Sequence, residues 1–187
     1  MQKEPIYNMY YVAIICPDEV NKQVEQFKHW IKDQFGCVAA LKSPAHITLI
    51  PPFWLAETRE NDLTNTVLSF TSGLPDLELH LDNFDHFGKK VLFIGVRENP
   101  ALAEIKKRVE RHFIQAFEDV IRADNRPFHP HITIANRDMK PSDFLEAWAH
   151  FSTKAFHAIF TANGISLLKL GPEKWSVVAE KTGYNSS

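Results

Sequence analysis

Pro44-Ala45-His46-Ile47-Thr48-Leu49-Ile50 reads as a short apolar, β-branched strand, and a near copy returns as Pro130-His131-Ile132-Thr133-Ile134-Ala135. Successive side chains of a strand point to opposite faces. His46 and Thr48 therefore share one face and Ile47 and Leu49 the other. The same parity joins His131 with Thr133 and sets them against Ile132 and Ile134. If both strands bury their aliphatic sides, two imidazoles and two hydroxyls remain, and the expectation is that these four groups meet in one cleft.

Working outward, Tyr10–Ile15 is a buried strand, and Cys16-Pro17-Asp18 breaks it, with Asp18 as helix N-cap. Val20, Val24, Phe27, Ile31 and Phe35 recur at steps of three and four, which predicts an amphipathic helix stopped by Gly36. Pro51-Pro52 is expected to end the first His-Thr strand, with Phe53 and Trp54 in a loop beyond it. Leu63, Val67 and Phe70 mark a second helix, closed by Gly73-Leu74-Pro75. Leu77, Leu79 and Leu81 alternate with polar residues as a strand, and Asp85–Lys90 turns into the strand Val91–Val96. Asn99-Pro100 caps a helix running from Leu102 to Val120, read as the longest of the chain. After the second His-Thr strand, Asn136-Arg137-Asp138 is a stop and Lys140–Phe151 a helix. Ala155–Phe160, Ile165–Leu170 and Trp175–Ala179 are closing strands. Each half reads strand, helix, His-Thr strand, helix, strand. The expectation is one domain over residues 1–187 with an approximate repeat of lobes 1–88 and 89–187.

The composition narrows the field. A hydrophobic content of 44% over 187 residues suits a packed protein with a sizeable core. A net charge of −2 supplies none of the basic field of proteins that grip long nucleic acid by its backbone. A nucleic-acid substrate is thus expected to be short, or touched only at an end. No apolar run is long enough to span a bilayer, and Met1-Gln2-Lys3-Glu4-Pro5 lacks the layout of a signal peptide. Cys16 and Cys37 read as reduced core thiols. The expectation is a cytoplasmic monomer with no membrane association.

Nine histidines in this chain would give less than one His-x-Thr pair by chance, and the two seen sit in equivalent strands 85 residues apart. In this pairing the chain resembles the two-histidine (2H) phosphoesterase superfamily, which includes the so-called 2',5'-RNA ligases that act as RNA 2',3'-cyclic phosphodiesterases. Phe128-His129-Pro130-His131-Ile132-Thr133-Ile134-Ala135-Asn136-Arg137 is similar to the second motif of the bacterial enzymes, with its Pro-His and trailing Arg. Ser43–Phe53 is closer to the bacterial subgroup described as 2',5'-ligase-like. The resemblance implies an α/β fold of the α+β type, with two pseudo-symmetric lobes whose antiparallel sheets flank a central cleft and whose helices lie outside.

The residue types suit that chemistry. Hydrolysis of a cyclic phosphodiester takes a proton from water and gives one to the leaving ribose oxygen, which a neutral and a protonated histidine can do near neutral pH. His46 and His131 are the expected catalytic pair, with Thr48 and Thr133 on the phosphate oxygens. Such a scheme requires no metal and no other cofactor. Arg137 shares the parity of His131 and is a candidate phosphate ligand or a solvated strand-end charge. Phe53 and Phe128 are candidates for stacking a nucleobase, and His129 for orienting the ligand. The expected partners are RNA ends or small nucleotide cyclic phosphates. Three rivals stand: a metal site of His46, His129 and His131, a non-catalytic binder of nucleotides or RNA ends, and 2',5'-phosphodiester cleavage or ligation. The first lacks a carboxylate at ligand spacing, and the last lacks any nucleotidyl-transfer lysine or Walker loop.

Overall fold

The computed structural model describes residues 4–70 and 76–182. Strand β1 (Tyr7–Ile15) is followed by helix α1 (Asp18–Phe35), with Pro17 in the cap position. Asp18 is the first helical residue rather than the cap, and there its carboxylate meets the positive end of the helix dipole. Gly36 closes α1 in the left-handed conformation, φ 73°, and its N–H donates to the Lys32 carbonyl. A short 3₁₀ turn, Ala39–Lys42, leads into β2 (His46–Ala56). Helix α2 (Glu60–Ser69) and strands β3 (Leu77–Phe87) and β4 (Val91–Val96) follow, then α3 (Pro100–Ala116), β5 (His131–Ala135) and α4 (Pro141–Phe151). Strands β6 (His157–Ala162), β7 (Gly164–Leu170) and β8 (Trp175–Thr182) complete the order. The turn expected at Gly73-Leu74-Pro75 lies outside the described residues.

Two boundaries differ from the reading of the sequence. Pro51 and Pro52 do not end β2. Tyr10 pairs with Phe53 and Val12 with Ile50, so the two prolines oppose Tyr11 alone in a bulge. The missing N–H groups are tolerated because β2 lies at a sheet edge, and Phe53 and Trp54 are strand residues. Helix α3 stops at Ala116, although Phe117 and Ile121 continue its buried face from the turn beyond. It is one residue shorter than the 18 of α1. Its start is as expected: the Asn99 side chain accepts from the N–H groups of Ala101 and Leu102, with Pro100 at the first helical position.

Among the described residues the strands form two antiparallel four-stranded sheets, β2-β1-β7-β8 and β5-β4-β3-β6. These sheets divide the chain differently from halves 1–88 and 89–187. β3 and β4 are hairpin partners astride residue 88, and β7 and β8 return to complete the sheet begun by β1 and β2. Each His-Thr strand is an outer strand of its sheet. The helices also cross over, for α1 lies against β5 and α3 against β2. One continuous apolar cluster draws on both sheets and on all four helices. Among the described residues no helix is long and apolar enough to cross a membrane. Cys16 and Cys37 are both buried and unpaired.

Phenylalanines tie the crossing together. Phe27 of α1 meets Phe84 of β3 edge-on at 5.0 Å and Phe156 at 5.2 Å. Phe151 of α4, 1% exposed, lies 4.8 Å from Phe84 and 5.3 Å from Trp30 of α1. Such edge-to-face pairs add to the area they bury. Phe151→Ala is therefore expected to lower stability by about 3–5 kcal/mol in urea unfolding, whereas a loss below ~1 kcal/mol would remove Phe151 from the core.

Candidate functional site

Both His-Thr strands show the alternation expected of them. Ile47, Leu49, Ile132 and Ile134 are buried to within 1% exposure, while His46, Thr48, His131 and Thr133 keep part of their surface open. In the ladders His46 faces Ile15 and Thr48 faces Ala13, whereas His131 faces Gly95 and Thr133 faces Phe93. The two strands approach each other across the sheets. Among the described residues neither threonine hydroxyl is engaged in a hydrogen bond.

The two imidazoles are held in the same way. His46 Nδ1 lies 2.7 Å from the Pro44 carbonyl, and His131 Nδ1 lies 2.7 Å from the carbonyl of His129. A carbonyl can only accept, so Nδ1 carries the proton and donates in both cases. In the neutral ring that leaves the lone pair on Nε2, turned away from the strand's own backbone. Each ring also rests against aromatic side chains. Tyr11 lies 4.8 Å from His46 and is itself braced edge-on by Trp175 at 4.6 Å. Phe87 and Phe93 each lie 5.0 Å from His131. The Tyr11 hydroxyl is buried beside Ser43 without a hydrogen bond of good geometry, and burial pushes the phenol up.

These walls set the electrostatics. Burial pushes the His46 imidazole down to about 4, against the pull of its bond to the Pro44 carbonyl. The positive charges of Lys28 and His131 push it in the same direction, so the two imidazoles lie within electrostatic reach of each other. His131 is also lowered, by burial first and by the nearby His129 charge, with the His129 carbonyl opposing. Both rings therefore favour the neutral form.

The remaining candidates divide. His129 is exposed at the rim, edge-on to Phe87 at 5.3 Å. Phe128 is half-buried and packs against the core. Phe53 leaves the candidate site: it is 8% exposed, pairs with Tyr10 and belongs to the core, because the strand continues through the prolines and Phe53 keeps the inward parity of Ile47 and Leu49. The aromatic exposed at that end of β2 is Trp54, paired with Met9 on the face of Tyr11. Arg137 is exposed in the turn after β5, which ends at Ala135, so strand parity no longer aims it at the cleft. Among the described residues no three His, Cys, Asp or Glu side chains gather as a metal ligand set, and His46, His129 and His131 form none.

Three neighbours carry no clear signal in the sequence. Tyr11 is the ring beneath His46, and its place follows from the alternation of β1. Lys28 lies beneath the first motif and sits in line with the apolar spacing of α1, where a lysine reads as solvated. Asp138 has no local signal at all: its Oδ2 accepts from the N–H groups of Val38 and Ala39 at 2.6 and 2.8 Å, about a hundred positions away. That carboxylate ties the turn after the second motif to the 3₁₀ turn before the first.

A family model matches most of this sequence, and solved structures share its fold. The family model of the 2'-5' RNA ligase superfamily matches residues 16–173. The crystal structure of TT0787 from Thermus thermophilus superposes with a TM-score of 0.66 at 16% identity, covering 96% of this chain and 100% of that one. E. coli LigT complexed with 3'-AMP superposes with a TM-score of 0.63 at 19% identity, covering 95% and 98%. LigT complexed with NADP+ gives 0.64 at 20% identity, covering 96% and 98%. Among curated protein sequences none matches this chain.

Asp138→Ala is expected to lower the thermal midpoint by the equivalent of about 1–2 kcal/mol, since two backbone donors lose their acceptor. Asp138→Asn, which keeps one acceptor oxygen, should lose less. Equal melting of all three proteins would deny the tie any energetic role.

Proposed function

This chain belongs to the 2'-5' RNA ligase superfamily, and we propose that it is a phosphoesterase that opens a cyclic phosphodiester, the 2',3'-cyclic phosphate of an RNA end or of a small nucleotide. The observation that carries this reading is the matched pair of histidines, each with Nδ1 donating to a backbone carbonyl two residues earlier and a threonine two residues later on the same face. LigT, a fold relative, has been crystallised with 3'-AMP, NADP+, ATP and phosphate, which supports a nucleotide or its phosphate as the ligand class.

In the proposed reaction Nε2 of one neutral imidazole takes a proton from water, and the water oxygen bonds to phosphorus. The bond from phosphorus to one ribose oxygen breaks, and that oxygen takes its proton from Nε2 of the other, protonated imidazole. The product is a phosphomonoester, and the two histidines end with exchanged protonation states. Thr48 and Thr133 donate to the non-bridging oxygens as charge builds there. Phe128 and His129 are proposed as ligand contacts at the rim, and Arg137, in the exposed turn after β5 and not on the strand itself, as a further contact to phosphate. None of these steps requires a metal.

His46→Ala and His131→Ala are each expected to lower hydrolysis of a 2',3'-cyclic nucleotide by about 10²–10⁴-fold, and Thr48→Val or Thr133→Val by ~10²-fold. Arg137→Ala should raise KM more than it lowers kcat. Equal activity of wild type and both alanine variants would leave the binding reading, and activity that is lost in chelator and restored by a divalent metal would overturn the metal-free scheme. The pH profile has a definite sign. Burial lowers both histidines, so the base stays neutral into acid and the acid loses its proton early. The kcat/KM bell is therefore expected to peak below ~6.5, the ordinary imidazole value. A peak above pH 8 would contradict it.

A further inference from the structure

The second sheet carries one row of residues that starts at the second motif and crosses all four of its strands. His131 of β5 faces Gly95 of β4, Gly95 faces Asp82 of β3, and Asp82 faces His157 of β6. Residues directly opposite in such ladders share a face. All four positions therefore lie on the His131 side, and Gly95 puts no side chain between the imidazole and the carboxylate. That carboxylate is held between an arginine and a histidine. Arg97 Nε donates to Asp82 Oδ2 at 3.0 Å, and His157 Nδ1 lies 2.9 Å from Oδ1. Arg97 comes two residues after Gly95, so the alternation of the strand sets it on the same face.

A bulge shapes this corner. The pairing of β3 with β4 shifts between Asp82 and Phe84, and the residue left over, Asn83, has φ 55°. Asparagine tolerates that conformation better than most residues. It also exchanges two hydrogen bonds with Phe156: the Asn83 N–H donates to the Phe156 carbonyl at 2.7 Å, and Asn83 Oδ1 accepts the Phe156 N–H at 3.1 Å. Asp82 and His157, the chain neighbours of that locked pair, are thereby brought together.

The manner in which Arg97 is held is informative. Arg59 and Arg126 each spend two guanidinium nitrogens on one carboxylate, Asp119 and Asp124 respectively. Arg97 spends only Nε, and among the described residues no carboxylate meets its terminal nitrogens. Its side chain is 57% exposed. A guanidinium fixed at Nε presents a fork of donors that matches a phosphate group. The neighbouring charged groups on this face, Glu78 and His80, lie 2.8 Å apart and are paired with each other. With strands about 4.8 Å apart and residues about 3.3 Å apart along them, the Cα of Arg97 stands roughly 8 Å from that of His131. That distance is on the scale of one nucleotide.

We propose that Arg97, oriented by Asp82, binds a second phosphate, the one on the 5' side of the nucleotide whose cyclic phosphate lies at His131. The inference rests on the hydrolytic reading above and narrows its substrate. The end of an RNA chain, or a nucleotide with a 5'-phosphate, is taken in preference to a nucleoside 2',3'-cyclic phosphate. A net charge of −2 agrees with one added phosphate contact and not with a long backbone track.

The test compares a nucleoside 2',3'-cyclic phosphate with the same compound carrying a 5'-phosphate and with the dinucleotide that ends in it. Wild type should favour the two-phosphate compounds by about tenfold or more in kcat/KM, mostly through KM. In Arg97→Gln that ratio should fall to about one, and in Asp82→Asn partway, with thermal melts to establish that both are folded. Arg97→Lys, a point charge without the fork, should restore only part of it. Wild type without the preference, or folded Arg97→Gln with the wild-type ratio, would overturn the assignment, as would a ratio set by the base and not by the 5'-phosphate. Calorimetry with a nucleoside 3'-monophosphate and the corresponding 3',5'-bisphosphate reads the same preference without turnover. If wild type opens no cyclic phosphate, the hydrolytic reading fails by itself, and that binding comparison still decides whether Arg97 holds a second phosphate.

Discussion

A strand offers two faces and no third, and the site depends on that restriction. Burying Ile47 and Leu49, or Ile132 and Ile134, commits the histidine and threonine beside them to the opposite side. Each aliphatic side chain buried to the last percent stabilises by roughly 1.5–3 kcal/mol, so a one-residue slip of either strand would forfeit several such contributions at once. The hydrophobic core therefore fixes the register of the polar groups. The backbone completes the work, since a carbonyl two residues upstream removes the choice of tautomer.

The edge positions of β2 and β5 are as important as their register. An inner strand has neighbours on both sides, whereas an outer strand can turn a row of side chains toward a second sheet. An unpaired edge invites association with other chains. Here β2 carries two prolines, a bulge and a shift of register, features that spoil a regular edge. Beyond the irregularity the alternation is kept, with Trp54 on the face of Tyr11 and Phe53 in the core.

Much of this is legible in the residues. Helix periodicity locates α1 and α4, Asn99-Pro100 marks the start of α3, and period two sorts the motif side chains correctly. The failures have physical causes. Pro51-Pro52 reads as a stop because local rules do not reveal that a strand lies at an edge. Phe53 reads as a ligand platform because a loop is expected after the prolines, whereas the strand continues and holds Phe53 on the buried face of Ile47 and Leu49. Lys28 and Asp138 are invisible for another reason: their partners, Ser43 and Val38-Ala39, come from packing between elements distant in the chain. Lobe membership is hidden in the same way, since a repeat of elements along the chain does not say which sheet a strand will join.

The return of β7 and β8 to the first sheet has a consequence for the order of assembly during synthesis. Residues 77–162 contain every strand of the sheet that carries His131, so that sheet can close once Ala162 has emerged from the ribosome. The sheet that carries His46 needs residues 164–182, paired with β1 more than 150 positions upstream. Such long-range pairing is slow to form and leaves β1 and β2 exposed meanwhile. The half of the site written first in the chain is thus the half whose scaffold is finished last, and the two histidines do not both rest on complete sheets until residue 182 has been made.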